Sequence, residues 1–193
     1  SGMINKLGEM KLPGKKALIV ISSGTSMKKY GYLDKLCKLL EKNSCEYVVY
    51  DKIKQNPTYK NVMEGSEIAK KNNCDIVIGL GGGSSIDAAK SIAIMVTNEG
   101  DYWDYVHGGT GKGLPLGNKP LEIVAITTTA GTGTGEAAGV ITDDWSGDGD
   151  GVPGTVGPAI ITSSSTVIFL RRGILFPFDF FFVFFFAFFF FAA

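Results

Sequence analysis

The residues best suited to chemistry lie at positions 81–90, with the sequence GGGSSIDAAK. An apolar run at 75–80 precedes them and predicts a strand, and an Ala-rich segment that predicts a helix follows. Backbone N–H groups of a glycine loop and of a helix N-terminus together bind phosphate, and glycines let the main chain approach a ligand closely. The stretch therefore predicts a phosphate-binding loop. The alternative is a helix capped by Ser84, with Asp87 as its capping-box partner, and no ligand.

A second glycine-rich segment, TTTAGTGTG at 127–135, follows an apolar run at 121–126. Its hydroxyls suit hydrogen bonds to a flat polar ligand and its glycines leave room for one; the alternative is a flexible loop. Residues 79–84 do not form G-x-G-x-x-G, because Ser84 stands at the third glycine, and no G-K-[ST] follows. Asp51, after the second predicted strand, is therefore interpreted as a solvated carboxylate and not as a ribose ligand.

The elements that position these segments alternate between strand and helix. Strands are predicted at 16–22, 46–50, 75–80 and 121–126, and helices at 27–43, at 59–72 and after the glycine loop. This alternation predicts βαβ units and a parallel α/β sheet with flanking helices, whose ligands bind beyond the carboxyl ends of the strands. We expect the loops at 22–26, at 81–84 and after residue 126 to meet at one edge.

The composition gives few further functional signals. Nineteen basic and nineteen acidic residues give no net charge, which argues against nucleic-acid and anionic-membrane partners. Three cysteines without a C-x-x-C spacing argue against a disulfide framework or a structural zinc site and favour a reducing, cytoplasmic setting. The single histidine, His107, lies in a long predicted loop at 98–120 and is interpreted as a surface residue.

The composition changes sharply near residue 144. Residues 144–157 are rich in Gly and Asp, every Phe lies at 169 or later, and residues 174–193 are largely Phe. About 20 apolar residues can span a bilayer, but a run of Phe alone is a low-complexity sequence. We interpret it as a truncated, frameshifted or misassigned end in preference to a membrane anchor. The predicted division is an α/β domain at 1–143 and an unassigned tail at 144–193.

Two motifs together resemble those of the iron-containing (group III) alcohol dehydrogenases, of the butanol dehydrogenase kind. Residues 81–90 match the family signature G-G-G-S-x-x-D-x-x-K, and residues 128–133 match T-T-A-G-T-G. The NPT loop at 56–58 and VITD at 140–143 also fit, so that the resemblance covers residues 15–143. It implies a Rossmann-like domain of the kind also found in dehydroquinate synthases, followed by a helical domain that holds Fe²⁺ or Zn²⁺.

The resemblance also implies a cofactor site for NAD(H) or NADP(H). The first loop, at 23–31, is similar to that of NADP-using butanol dehydrogenases, because no Asp stands near Gly24; this loop and its nearby lysines would accept a 2′-phosphate. The glycine loop is implied to hold the pyrophosphate, and the threonines after residue 127 are implied to line the adenine and ribose side. The implied cofactor residues are Gly24 and Ser26 in the first loop, Gly82, Gly83, Ser84 and Asp87 at the pyrophosphate, and Thr128, Thr129 and Thr132 on the adenine and ribose side.

The implied metal ligands, one Asp and three His, have no counterpart here, since no histidine follows His107. The helical domain is thus expected to lie outside this sequence, and no catalytic or metal-binding residue is assigned. We expect this chain to bind a nucleotide but not to reduce an aldehyde. In the intact enzyme the resemblance implies hydride transfer to or from a small alcohol or aldehyde, in a homodimer. The alternatives are a non-catalytic nucleotide-binding fragment, or a relative of glycerol dehydrogenases or dehydroquinate synthases.

Overall fold

The computed structural model describes residues 4, 7–8, 11–107 and 110–128, and the backbone of a strand at Ser165–Phe169. The elements are, in chain order, β1 (Lys16–Ser22), α1 (Ser26–Lys29), α2 (Tyr32–Lys42), β2 (Glu46–Ile53), α3 (Tyr59–Lys71), β3 (Ile76–Gly81), α4 (Gly83–Thr97), α5 (Tyr102–Tyr105), β4 (Glu122–Thr127) and β5 (Ser165–Phe169).

The strands form one sheet in the order β2-β1-β3-β4-β5, and every neighbouring pair is parallel. The predicted parallel α/β sheet is therefore confirmed. Because all the strands run in the same direction, their carboxyl ends lie along one edge, and the loops that follow β1, β3 and β4 leave from adjacent strands.

Alternating side chains of the central strands divide the core into two layers. On β1, Leu18 and Val20 contact the layer formed with α3 and α4, whereas Ile19 and Ile21 contact the layer formed with α2. This alternation has the period of two expected of a strand. Both faces of β1 and β3 are covered, which explains why their sequences are continuous apolar runs.

The helix predicted at 27–43 is wrong as a single element. The structure contains α1 and α2 there, separated at Tyr30 and Gly31, and Gly31 has a φ of +70°. The left-handed backbone ends the first helix and starts the second at no Cβ cost. The predicted apolar stripe is retained in α2, where Leu33, Leu36 and Leu40 are buried.

Other boundaries differ by a few residues. Strand β2 continues to Ile53, so that Asp51 lies within the strand and not in the loop that follows it. The short helix α5 lies inside the predicted loop at 98–120. Strand β5 pairs with β4 in a region where the sequence analysis assigned no element. None of the helices in the described ranges is both long and apolar enough to cross a membrane.

Candidate functional site

The N-terminus of α4 lies directly beyond the carboxyl end of β3. Gly81 ends the strand with a φ of +142°, Gly82 is the N-cap in an extended conformation, and α4 begins at Gly83. Helix α4 is 15 residues long, and no side chain caps its N-terminus, because the N-cap is a glycine. The first N–H groups of a helix lack partners within the helix and carry its positive dipole end. This terminus is therefore suited to bind an anion.

The predicted capping role of Ser84 is wrong. The N-cap is Gly82, whose carbonyl accepts hydrogen bonds from the N–H groups of Ser85 at 3.2 Å and Ile86 at 3.3 Å. The predicted capping box with Asp87 is wrong for the same reason, since Ser84 lies inside the helix. The glycines allow the helix to begin two residues earlier than a serine cap would, which leaves its end without a side-chain cap.

Close packing fixes the position of this helix end. A Cβ built on Gly79 would lie 3.1 Å from Ala89 Cβ and 3.1 Å from Ile86 Cα. Strand β3 and helix α4 therefore approach each other so closely that a side chain at position 79 would require its neighbours to move. Ile86, Ala88 and Ala89 are fully buried in this contact. The turn that would hold an anion is therefore attached to a buried, closely packed part of the core.

Hydrogen bonds connect the loops at this edge of the sheet. The Thr128 N–H donates to the Gly81 carbonyl at 2.8 Å, and the Asn56 N–H donates to Ser84 Oγ at 3.3 Å. The loop after β1 is joined to the end of β2, where the Ser23 N–H donates to the Ile53 carbonyl at 2.8 Å. The glycine loop thus contacts the loops after β2 and β4, and the loop after β1 reaches the edge through β2.

The predicted cofactor residues differ in burial. Gly24 and Ser26 are exposed, and Gly82, Gly83, Ser84 and Thr128 are half-buried along the same edge. Asp87 is buried one turn inside α4. Thr129 and Thr132 lie outside the described residues.

A polar cluster lies beneath the glycine loop on the buried side of α4. Asp87 and Lys90 are each 6% exposed, and Ser91 Oγ lies 2.9 Å from the hydroxyl of Tyr102. Burial lowers the pKa of Lys90, an effect that the charge of Asp87 opposes. Burial also raises the pKa of Tyr102 to about 12, so that its phenol stays neutral at physiological pH.

The sequence analysis assigned no role to Lys90 or Tyr102. Lys90 belongs to the matched signature, and a charged pair three residues apart in an otherwise apolar helix is a signal that Asp87 and Lys90 share one face. Tyr102 had no comparable signal, because its contact with Ser91 depends on how α5 packs against α4.

Asp51 is a solvent-exposed carboxylate, as interpreted from the sequence, and it is also ion-paired. Its Oδ2 lies 2.6 Å from Lys28 Nζ, and the two side chains are 42% and 55% exposed. The hydrogen bond from Lys28 is the main cause that holds the pKa of Asp51 below its usual value. The strand pairing is irregular here: Val20 pairs with Tyr50 but Ser22 with Ile53, which leaves one extra residue in β2.

The described residues do not fit the metal that the resemblance implies. Within the described ranges, no group of three or more His, Cys, Asp or Glu side chains lies close enough to hold an ion. His107 is exposed, as predicted. Cys45 and Cys74 are buried and Cys37 is half-buried, and burial raises the pKa of all three thiols, which disfavours the thiolate form.

Comparisons with known proteins agree with the motifs and the fold. The family model described as iron-containing alcohol dehydrogenase matches residues 1–153. Alcohol dehydrogenase 4 of Schizosaccharomyces pombe is 44% identical over 126 residues, which cover 64% of this chain and 28% of that protein. NADH-dependent butanol dehydrogenase B of Clostridium acetobutylicum is 39% identical over 132 residues, which cover 68% and 32%.

Solved structures extend this similarity to the fold. The crystal structure of NADH-dependent butanol dehydrogenase A from Thermotoga maritima superposes with a TM-score of 0.72 at 32% identity, covering 87% of this chain and 40% of that one. The chain spans 28% to 32% of the length of these two curated relatives and matches their α/β portion.

Proposed function

The chain belongs to the iron-containing alcohol dehydrogenase family, and we propose that it binds a nicotinamide dinucleotide at the carboxyl edge of its sheet. The observation that carries the proposal is the N-terminus of α4, which begins at the third of three consecutive glycines and has no side-chain cap. A pyrophosphate placed there would accept hydrogen bonds from backbone N–H groups and interact favourably with the helix dipole.

Each predicted cofactor residue has a part in this proposal. Gly82 and Gly83 would donate backbone N–H groups to the pyrophosphate, with the Ser84 hydroxyl beside them. Asp87, buried one turn further along α4, would lie below the phosphates. The residues proposed for the adenine and ribose side of the dinucleotide are Gly24, Ser26, Thr128, Thr129 and Thr132.

The sharpest test places a negative charge at the proposed pyrophosphate. Gly82 has φ −87° and ψ −170°, a conformation open to any residue, and Asp is a favoured N-cap. Gly82→Asp is therefore expected to keep or raise the melting temperature while weakening NADH binding at least about tenfold, because like charges repel at short range. Calorimetric titration measures the affinity.

Gly82→Asn is the matched control for this test. It supplies a similar cap without the charge, so that a loss of affinity confined to the Asp variant identifies electrostatic repulsion of an anion. Wild-type affinity for NADH in the folded Asp variant would contradict the proposed site, as would the absence of saturable NADH binding by the wild-type chain.

We propose that NADP(H) is accepted as well as NAD(H). No acidic side chain is present in the 23–31 loop, so nothing within this loop repels a 2′-phosphate. Two relatives carry names that describe them as NADH-dependent, and both cofactors therefore need titration. An affinity for NADPH more than tenfold below that for NADH would contradict acceptance of NADP(H).

In the intact enzyme we propose hydride transfer between the nicotinamide and a small alcohol or aldehyde, with dependence on Fe²⁺ or Zn²⁺. The described residues supply no metal ligand set, and no metal-dependent step is assigned to them. What they contribute is the binding and orientation of the dinucleotide. This observation favours a second candidate, a non-catalytic nucleotide-binding fragment, and alcohol oxidation by this chain in the presence of added Fe²⁺ would contradict it.

The division into an α/β domain at 1–143 and a tail at 144–193 also stays a proposal, together with a cytoplasmic setting and a homodimer. The family match extends to residue 153. An intact mass that agrees with 20.6 kDa would rule out misassigned residues in the tail. NADH titration of a chain that ends at residue 143 would test whether the tail is dispensable for binding.

A further inference from the structure

The ion pair between Lys28 and Asp51 joins two elements at the edge of the sheet. Lys28 lies in α1, two residues after Ser26, and Asp51 lies in β2. The Ser23 N–H donates to the Ile53 carbonyl, and the Asn56 N–H donates to Ser84 Oγ in the first turn of α4. The pair is therefore flanked along both chain segments by residues that belong to the proposed site or contact it.

The irregular pairing of β1 and β2 occurs at the same place. The extra residue of β2 falls between Tyr50 and Ile53, the segment that contains Asp51. An extra residue of this kind changes the direction of the side chains around it and is common beside functional sites. Asp51 is thus presented to α1 by a local departure from regular strand geometry.

The charges of the pair have opposite consequences for the two cofactors. The ammonium of Lys28 would attract a 2′-phosphate, but its ion pair with Asp51 offsets that charge and weakens the attraction. A ribose that carries a 2′-hydroxyl has no charge for Lys28 to attract. The pair therefore discriminates between NADP(H) and NAD(H) without requiring Asp51 to touch the ribose.

We propose that Asp51 is a specificity-determining residue that acts through Lys28, and that it lowers the affinity of the site for dinucleotides with a 2′-phosphate. This inference rests on the proposed dinucleotide site. Cofactor selection would then depend on β2 as well as on the loop at 23–31.

The test is a set of titrations on the full 193-residue chain. Asp51→Asn is expected to raise the affinity for NADPH about fivefold and to change that for NADH less than twofold, the size expected of a partly exposed pair. Adenosine 2′,5′-bisphosphate and ADP serve as smaller probes, and the gain is expected only with the first. The gain in affinity for the 2′-phosphate ligands should decrease as added salt screens the charges.

Two further variants distinguish the effect of the ion pair from the effect of the change in net charge. Glu46→Gln, an exposed and ion-paired residue at the amino end of β2, makes the same change in charge at the opposite edge of the sheet and is expected to leave the preference unaltered. Lys28→Gln should weaken NADPH binding and, combined with Asp51→Asn, abolish the gain, because the effect of Asp51 requires the lysine.

The outcomes distinguish this inference from the proposed function. If the wild-type chain binds neither dinucleotide, both are overturned. If both bind but Asp51→Asn changes NADPH and NADH equally, or the double variant keeps the gain, only the inference is overturned. A selective loss of NADH affinity in Asp51→Asn would show that Asp51 binds the ribose directly, which also overturns it.

Discussion

The helices α4 and α1 both begin without a side-chain cap, but in very different surroundings. Neither N-cap, Gly82 nor Thr25, makes a side-chain capping hydrogen bond. Helix α4 has 15 residues and is packed into the core, whereas α1 has four and is mostly exposed. A long aligned helix supplies a dipole and orphan N–H groups, but a single turn supplies little of either.

This difference suggests a division of labour in the proposed site. At α4 the main chain would provide the binding groups, and the positive φ of Gly81 favours glycine at the turn that presents them. At α1 the charged side chains of Lys28 and its partner Asp51 would provide selectivity. Binding at α4 should therefore depend on backbone geometry and packing, whereas selectivity at α1 should depend on charge, salt and pH. Substitutions at each end test this contrast.

The largest effect is expected where α4 touches β3. Gly79→Val would place a branched side chain 3.1 Å from Ala89 Cβ and from the backbone of Ile86, and we expect a loss of about 3 kcal/mol of unfolding free energy from overpacking. Denaturant unfolding measures it. Gly24→Ala is the control in the other loop, since its Cβ would meet only Ser22 Oγ at 3.6 Å. Equal losses in both variants would contradict the contrast in packing.

A smaller effect is expected at the turn itself. Gly81 has a φ of +142°, and Gly81→Ala should cost about 1–3 kcal/mol of unfolding free energy through backbone strain. Its added Cβ would also lie 3.0 Å from Ser85 Oγ. Gly82→Ala is the neighbouring control, because a φ of −87° suits any residue. Indistinguishable melting curves for the two variants would contradict the importance of the Gly81 backbone.

The smallest effect is expected from breaking the exposed ion pair, and it should depend on pH. Asp51→Asn is expected to cost less than about 1 kcal/mol at pH 7. The folded pKa of Asp51 is depressed, so its contribution is present above the unfolded pKa and is lost as pH falls through the folded pKa. The difference in unfolding free energy between wild type and variant should therefore shrink as the pH falls below the unfolded pKa of Asp, about 3.9, and vanish once the folded carboxylate is protonated. A difference that persists in acid would contradict an electrostatic origin.

The sequence predicted the sheet well, because a strand covered on both faces needs an uninterrupted apolar run. The bounds of β1 were predicted to the residue, at 16–22. Signature matching likewise identified the family that the comparisons confirm. The helix predicted at 27–43 failed because its apolar period continues across Gly31, and only the left-handed backbone there shows the break.

Other features of the site depended on tertiary structure. Ser84 satisfies the local rule for an N-cap, yet it lies inside α4, because the helix begins at Gly83. This earlier start is found where α4 packs closely against Gly79, a contact that the local sequence does not reveal. Lys28 and Asp51 lie 23 residues apart, and their contact lies beside the irregular pairing of β1 with β2, which has no sequence signal. Strand β5, STVIF, has an ordinary strand composition, but it lies between a Gly/Asp-rich segment and a Phe-rich one, and the sequence assigns no element to the tail as a whole.

The hydrogen bond from the Thr128 N–H to the Gly81 carbonyl has a geometric consequence for the next amide. In a trans peptide unit the C=O and N–H bonds point in opposite directions within one plane. By holding the Gly81 carbonyl, Thr128 also sets the orientation of the Gly82 N–H. The loop after β4 thus aims a backbone donor of the glycine loop with its own main chain, so most side-chain changes at position 128 leave that aim intact. Proline, which has no N–H to donate, would leave this peptide plane free to rotate.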